Sequence, residues 1–204
     1  MESTAKSRER VASQAGFTLT ELLVVVAIIS AVVGLSIPNF TRSIDNAKFK
    51  AATQKLAAVY QDARLRATQN NTPYEVLLAS STTVPFQACI DLDGDGVCSA
   101  GDPVTVFPAQ VSLNNAGVPL ALNPAELGFT PSSIDQTLGI GWNSFGMPCQ
   151  RSSSAAPCAT VAGWIQYLQF RRAGGEVLYA AVAVSPTGRI KTWMYDPSGN
   201  GNWF

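Results

Sequence analysis

Asp91, Asp93 and Asp95 stand at alternate positions in the segment DLDGDGVCSAGD, Gly96 follows them, and Asp102 occupies the twelfth place. Carboxylates at this spacing offer the all-oxygen ligand set that Ca²⁺ takes, and the glycine allows the sharp turn such a loop needs. The segment departs from a full calcium loop in three ways: Asp102 stands where a bidentate Glu is usual, Cys98 falls inside, and no helical pattern flanks it. Asp and Gly are also the ordinary residues of a polar turn. Two readings therefore stand, a Ca²⁺ site made by Asp91, Asp93, Asp95 and Asp102, and a solvated turn.

Another carboxylate stands in an apolar setting. From Phe17 to Ile37 the chain is almost uninterruptedly apolar, close to the ~20 residues that a helix needs to cross a hydrocarbon core. Glu21 interrupts that run. A carboxylate there costs roughly 2.5 to 3.5 kcal/mol on insertion scales, so it implies a function and a partner. A secretory signal cleaved near Gly34 and Ser36, or a plain single-span anchor, accounts for the hydrophobicity but not for Gly16-Phe17 followed by Glu21. Lys6, Arg8 and Arg10 outnumber Glu2 and Glu9 ahead of the span, which keeps the start of the chain in the cytoplasm and places everything after Pro38 outside it.

Four cysteines fall as Cys89 and Cys98, then Cys149 and Cys158, two pairs of equal spacing. Outside the cytosol disulfides persist, and of the three connectivities the local ones, Cys89–Cys98 and Cys149–Cys158, are expected, each stapling one loop. Zinc is the competing reading, but neither a CxxC spacing nor any histidine is present. The absence of histidine also removes His-dependent hydrolase triads, and the chain reads as a non-enzyme. Net charge is zero, yet after Leu138 five basic residues (Arg151, Arg171, Arg172, Arg189, Lys191) face two acidic ones (Glu176, Asp196). Alternation along a strand sends Arg189 and Lys191 to one face and Ile190 to the other. Such cations can contact phosphate, or simply keep a sheet edge soluble and unpaired.

The elements that must carry these groups follow from periodicity. After Pro38, Phe40, Ile44, Ala47, Ala52, Leu56, Val59 and Ala63 recur at helical steps, so an amphipathic half should continue the span to about Asn71, with Pro38 kinking or loosening it. From Thr72 the pattern turns to short strands with Gly, Pro, Ser and Asn breakers. Strands are expected at Tyr74 to Ala79, Val104 to Phe107, Gly139 to Asn143, Trp164 to Arg171, Val177 to Val184 and Arg189 to Tyr195. Gly174-Gly175 and Pro186-Thr187-Gly188 are spaced like the turns of a C-terminal meander, and Ser152 to Ala156 reads as a loop. The expected fold is α+β: a long N-terminal helix packed on a β-rich head of two sheets, one of which covers the helix.

Gly16, Phe17, Thr18, Leu19 and Glu21, after a short basic leader, resemble the processing signature of type IV pilin-like proteins. The resemblance implies that a prepilin peptidase cuts between Gly16 and Phe17 and methylates the new amine of Phe17. It also implies partners among other pilin or pseudopilin subunits, and an inner-membrane location before assembly. Glu21 can then pair with the α-ammonium of a neighbouring subunit's Phe17, two charges tolerable together where neither is alone. The segment from Leu56 to Val76, with Ala63, Arg64, Ala67 and Asn71, resembles the end of the long helix in the GspH/FimT branch of minor pilins and pseudopilins. That branch implies a subunit of a type IV pilus or of a type II secretion pseudopilus. Domains are expected as a leader over 1–16, a membrane and filament-core helix over 17–38, an amphipathic helix over 39–71 and the head over 72–204. Some FimT-type subunits serve DNA uptake, and Gly188-Arg189-Ile190-Lys191 resembles their GRxR motif with Lys191 for the second Arg. Arg171 and Arg172 are candidate further contacts to DNA. Lys keeps the charge but lacks the bidentate fork.

Overall fold

The computed structural model describes residues 16–79, 85–113, 118, 121–132, 139–151, 157–195 and 202–204. The leader residues 1–15, the serine-rich stretch 152–156 and Asp196 lie outside the described residues. One long helix comes first, α1 (Leu19–Asn70), and the helical assignment continues through Pro38. It closes at Asn71, whose φ of 51° is left-handed, while the Thr72 amide reaches back to the Ala67 carbonyl at 3.2 Å. Asn tolerates this conformation better than most residues and so ends helices.

The chain divides into two compact units, Met1–Ile44 and Asp45–Phe204. In the first, every described side chain from Phe17 to Leu35 is exposed. The segment is long and apolar enough to cross a membrane. In the second, α1 buries Phe49, Ala52, Thr53, Leu56, Val59, Tyr60, Ala63 and Ala67, a stripe at three- and four-residue steps. This corrects the expected start of the stripe: Phe40, Ile44 and Ala47 stay exposed. All three precede Phe49, the first buried position among the described residues of the helix.

The strands are β1 (Tyr74–Ala79), β2 (Gln87–Asp91), β3 (Val104–Val106), β4 (Val111–Leu113), β5 (Ile140–Trp142), β6 (Pro148–Gln150), β7 (Ala159–Thr160), β8 (Trp164–Arg171), β9 (Val177–Val184) and β10 (Ile190–Tyr195). They form a six-stranded sheet in the order β3-β2-β1-β5-β6-β7 and a four-stranded sheet in the order β10-β9-β8-β4. Every pairing is antiparallel. The C-terminal meander turns at Gly175 (φ 86°) and Gly188 (φ 80°), positive values that glycine reaches without a Cβ clash. Both sheets contribute to the core built on the helix stripe: Val76, Ile140 and Trp142 from the first, Trp164, Leu168, Phe170 and Val182 from the second. Rings seal the junction, with Tyr60 edge-on to Trp164 at 5.8 Å and Trp142 against Trp164 at 5.5 Å. A smaller cluster lies around Ala181 and Ala183 of β9, with Leu122, Leu127 and, half-buried, Phe129 and Trp193. Leu127 comes from α2 (Pro124–Leu127), a single turn capped by the Asn123 side chain on the Ala125 amide.

Candidate functional site

At the N-terminal end the chemistry is local. Gly16 has open space around the position of a Cβ, so nothing described around it demands a small side chain. Phe17 is exposed. Thr18 and Glu21 form a reciprocal cap on α1: the Glu21 amide donates to Thr18 Oγ1 at 3.2 Å and the Thr18 amide donates to Glu21 Oε2 at 3.1 Å. The Thr18 hydroxyl also donates to that carboxylate at 3.0 Å. This is a capping box, which satisfies helix donors that have no partner in the first turn and sets a negative group at the positive end of the dipole. The Thr-Leu-Thr-Glu spacing carried this signal, and the sequence reading of Glu21 as a partner-seeking charge passed over it.

The basic residues separate into two places. Lys191 sits opposite Ala183 and Arg171 opposite Val177, six residues apart along β9, or about 20 Å at the rise of a strand. Arg172, moreover, donates to the Glu176 carboxylate and the Asn46 side-chain oxygen. Arg171 and Arg172 therefore do not join Arg189 and Lys191 in one patch. Arg189 and Lys191 are exposed and no ion pair engages them among the described residues, while Ile190 packs on the main core. The Lys191 ammonium lies 5.6 Å from the centre of the Trp193 ring. The turn carrying Arg189 is held from both sides. Within it, the Gly188 amide donates to the Ser185 carbonyl at 2.8 Å and the Arg189 amide to Ser185 Oγ at 3.0 Å. From α1, Arg64 donates to the carbonyls of Gly188 at 2.8 Å, Thr187 at 3.3 Å and Gly146 at 3.0 Å, and its guanidinium lies 5.5 Å from the Trp142 ring centre. A Cβ on Gly188 would come 2.7 Å from the Gly146 carbonyl oxygen and 2.9 Å from Arg64 Cζ. Two hairpin turns thus meet on one guanidinium.

The acidic loop leaves the end of β2. Asp91, Asp93 and Asp95 each bring a carboxylate oxygen within 4.8 Å of the others. Their carboxylates also hold the loop itself: Asp91 accepts from the Gly94 and Gly96 amides at 2.7 and 2.9 Å, Asp93 from Asp95 at 3.2 Å, and Asp95 from Val97 at 2.8 Å. Asp102, the fourth residue of the expected ligand set, is not part of this cluster. Its carboxylate accepts from the Leu92 amide at 3.0 Å and the Ser99 amide at 2.8 Å, and these bonds hold its pKa below the usual carboxylate range. Disulfides join Cys89 to Cys98 and Cys149 to Cys158, with Cα separations of 6.0 and 5.4 Å.

Between the two stapled loops lies an ion pair that sequence reading missed. Glu75 of β1 stands directly opposite Asp91 on one side and Gly141 on the other, and it is buried. Arg151, which follows β6, pairs with it at 2.9 Å. Burial pushes the Glu75 carboxyl up, the Arg151 guanidinium pulls it down, and the neighbouring Asp91 adds to the rise. Arg151 also reaches the acidic loop, since a Cβ on Gly94 would lie 3.5 Å from its Nη1.

Residues 11–37 match the family described as the prokaryotic N-terminal methylation motif. No curated protein and no solved structure matches the chain. The matched stretch spans the end of the leader, Gly16-Phe17, the capping pair and the apolar first half of α1. Such a motif on an apolar N-terminal helix accords with the membrane anchoring of a pilin. The chain carries the N-methylation motif of prepilins, and this supports a type IV pilin-like protein; the motif implies processing by prepilin peptidase and assembly with other pilin subunits.

Proposed function

We propose that this chain is a GspH/FimT-type minor pilin or pseudopilin, cleaved between Gly16 and Phe17, methylated at Phe17, and assembled into a type IV pilus or a type II secretion pseudopilus. The observation that carries this reading is the methylation motif placed directly on an exposed apolar helix, with Glu21 at its N-terminal turn. The precursor sits in the inner membrane with residues 1–16 as leader and 17–38 as the span. Residues 39–71 lead into the head, 72–204, outside the cytoplasm. Contact with a neighbouring subunit's Phe17 ammonium uses the charge of Glu21, while its own helix uses the hydrogen bonds. Mass spectrometry of the mature N-terminus tests the reading: N-methylated Phe17 is expected, and an intact Met1 or a start near Ile37 overturns it.

A second reading, a DNA-binding subunit for DNA uptake, is favoured by Arg189 and Lys191, exposed cations two residues apart at the start of β10. As a third element of the proposal, Ca²⁺ is held by Asp91, Asp93 and Asp95. Asp102 then serves the loop's own fold through Leu92 and Ser99.

A further inference from the structure

The turn that carries Arg189 is a ridge between two depressions. The smaller, about 330 Å³, is lined by Leu127 and Phe129 beside α2 and by Ala183, Arg189, Lys191 and Trp193 of the sheet. The larger, about 630 Å³, is lined by Gln61, Arg64 and Leu65 of α1 and by Thr187, Arg189 and Ile190. Thr187 and Arg189 line both, and among the described residues no aspartate or glutamate lines either. The smaller depression combines aromatic and aliphatic walls with a cationic mouth. The ridge is fixed in place, because Arg64 donates to the carbonyls of both Thr187 and Gly188.

We propose that these two depressions are successive subsites on a track for single-stranded nucleic acid, with Arg189 at the phosphate between them. An unstacked base enters the smaller depression against Phe129 and Trp193, Lys191 and Arg189 meet the adjoining phosphates, and the next nucleotide crosses the ridge toward Leu65. The inference rests on the DNA-binding reading and narrows it. A duplex presents phosphates but keeps its base faces stacked, so it uses the cations and leaves the aromatic walls idle. A single strand uses both, and aromatic stacking is largely indifferent to base identity. The cations supply a salt-dependent phosphate contribution on top of it.

The test uses the full-length protein in detergent micelles and fluorescence anisotropy at fixed salt. The probes are a labelled oligothymidine of about 15 nucleotides, a duplex of equal length and a polyglutamate peptide. Oligothymidine should bind at least about tenfold more tightly than duplex, and Trp193→Leu should lose about tenfold or more of that affinity while Trp193→Phe keeps most of it. Arg189→Ala should weaken oligothymidine binding and flatten its salt dependence by about 0.7 log unit per log unit of salt for each lost phosphate contact. Phe129→Leu serves as the second stacking variant if Trp193→Leu lowers the melting temperature. Duplex binding equal to or tighter than oligothymidine overturns the single-strand track and leaves the duplex reading standing. Binding of neither overturns both. Polyglutamate binding as tight as oligothymidine also overturns the proposal, since charge alone then accounts for the site.

Discussion

Between Leu19 and Leu35 α1 exposes every side chain, with Leu19 at 80% and Leu35 at 78%, whereas between Phe49 and Ala67 it buries one at nearly every third or fourth position. The backbone bonding is the same helical ladder in both halves. What differs is the source of the medium. The second half finds its apolar surroundings within the chain, in Trp164, Phe170 and Val182. The first half must take them from lipid or from other helices, because a continuous apolar surface of this length is not left to water. One half of the helix is therefore a folding element, and the other is an apolar surface that the head does not cover.

Substitutions on the two sides should separate along that division. The largest effect is expected from Gly16→Leu. The site has room for the side chain in this chain, so the head should melt as before while processing stops and the unprocessed precursor accumulates in the membrane. Normal cleavage of this variant would detach the motif from its expected enzyme. Next comes Leu56→Ala, which empties a fully buried position. It should lower the head's unfolding free energy by about 2 to 5 kcal/mol, against less than about 0.5 kcal/mol for Leu23→Ala at an exposed one, read by denaturant titration of the full-length protein in detergent. Equal losses would mean that the two halves do not differ in this way.

Calcium should act only on the head. If Asp91, Asp93 and Asp95 bind it, a hundredfold excess over Kd adds about 2.7 kcal/mol, and the melting temperature should rise relative to chelator. Asp93→Ala should remove that difference, while no rise in the wild type returns the loop to a self-bonded turn closed by Cys89–Cys98. The effect that dissects a single residue belongs to Glu21. Gln can complete a capping box, so Glu21→Gln should keep the helix end intact, whereas Glu21→Ala should lose about 1 kcal/mol of local stability. If the charge pairs with a neighbouring subunit's ammonium, both variants should incorporate poorly into a filament fraction. If only the cap matters, Gln should assemble like wild type.

The parts legible in the sequence were those whose signals are local. The membrane-length run with Gly16, Phe17 and Glu21 is a linear pattern, and the match to the methylation motif falls on it. β8 was legible because Trp164 to Arg171 alternates between faces, β9 because glycine turns bracket it, and β10 because it follows the second of them. β2 escaped because Gln-Ala-Cys-Ile-Asp ends in the very aspartate that looked like a loop ligand, β6 because it opens on Pro148, and β7 because it is only two residues long. Short strands of this kind draw their stability from the neighbours they pair with rather than from their own residues.

Sequence by itself determined that one helix would carry both an apolar span and a core-facing stripe, that a meander would close the chain, and that Arg189 and Lys191 would flank a core-facing Ile190. Tertiary structure alone decided where the buried stripe of α1 begins, since Phe40 and Phe49 are equally apolar and only Phe49 is covered by the head. It also decided that Arg151 pairs with Glu75, that Asp102 stays out of the acidic cluster, and that Arg64 holds turns at 146 and 188. Those contacts bridge residues far apart in the chain or depend on how a loop closes. Strand order and register place their partners, and no periodicity along the chain encodes either.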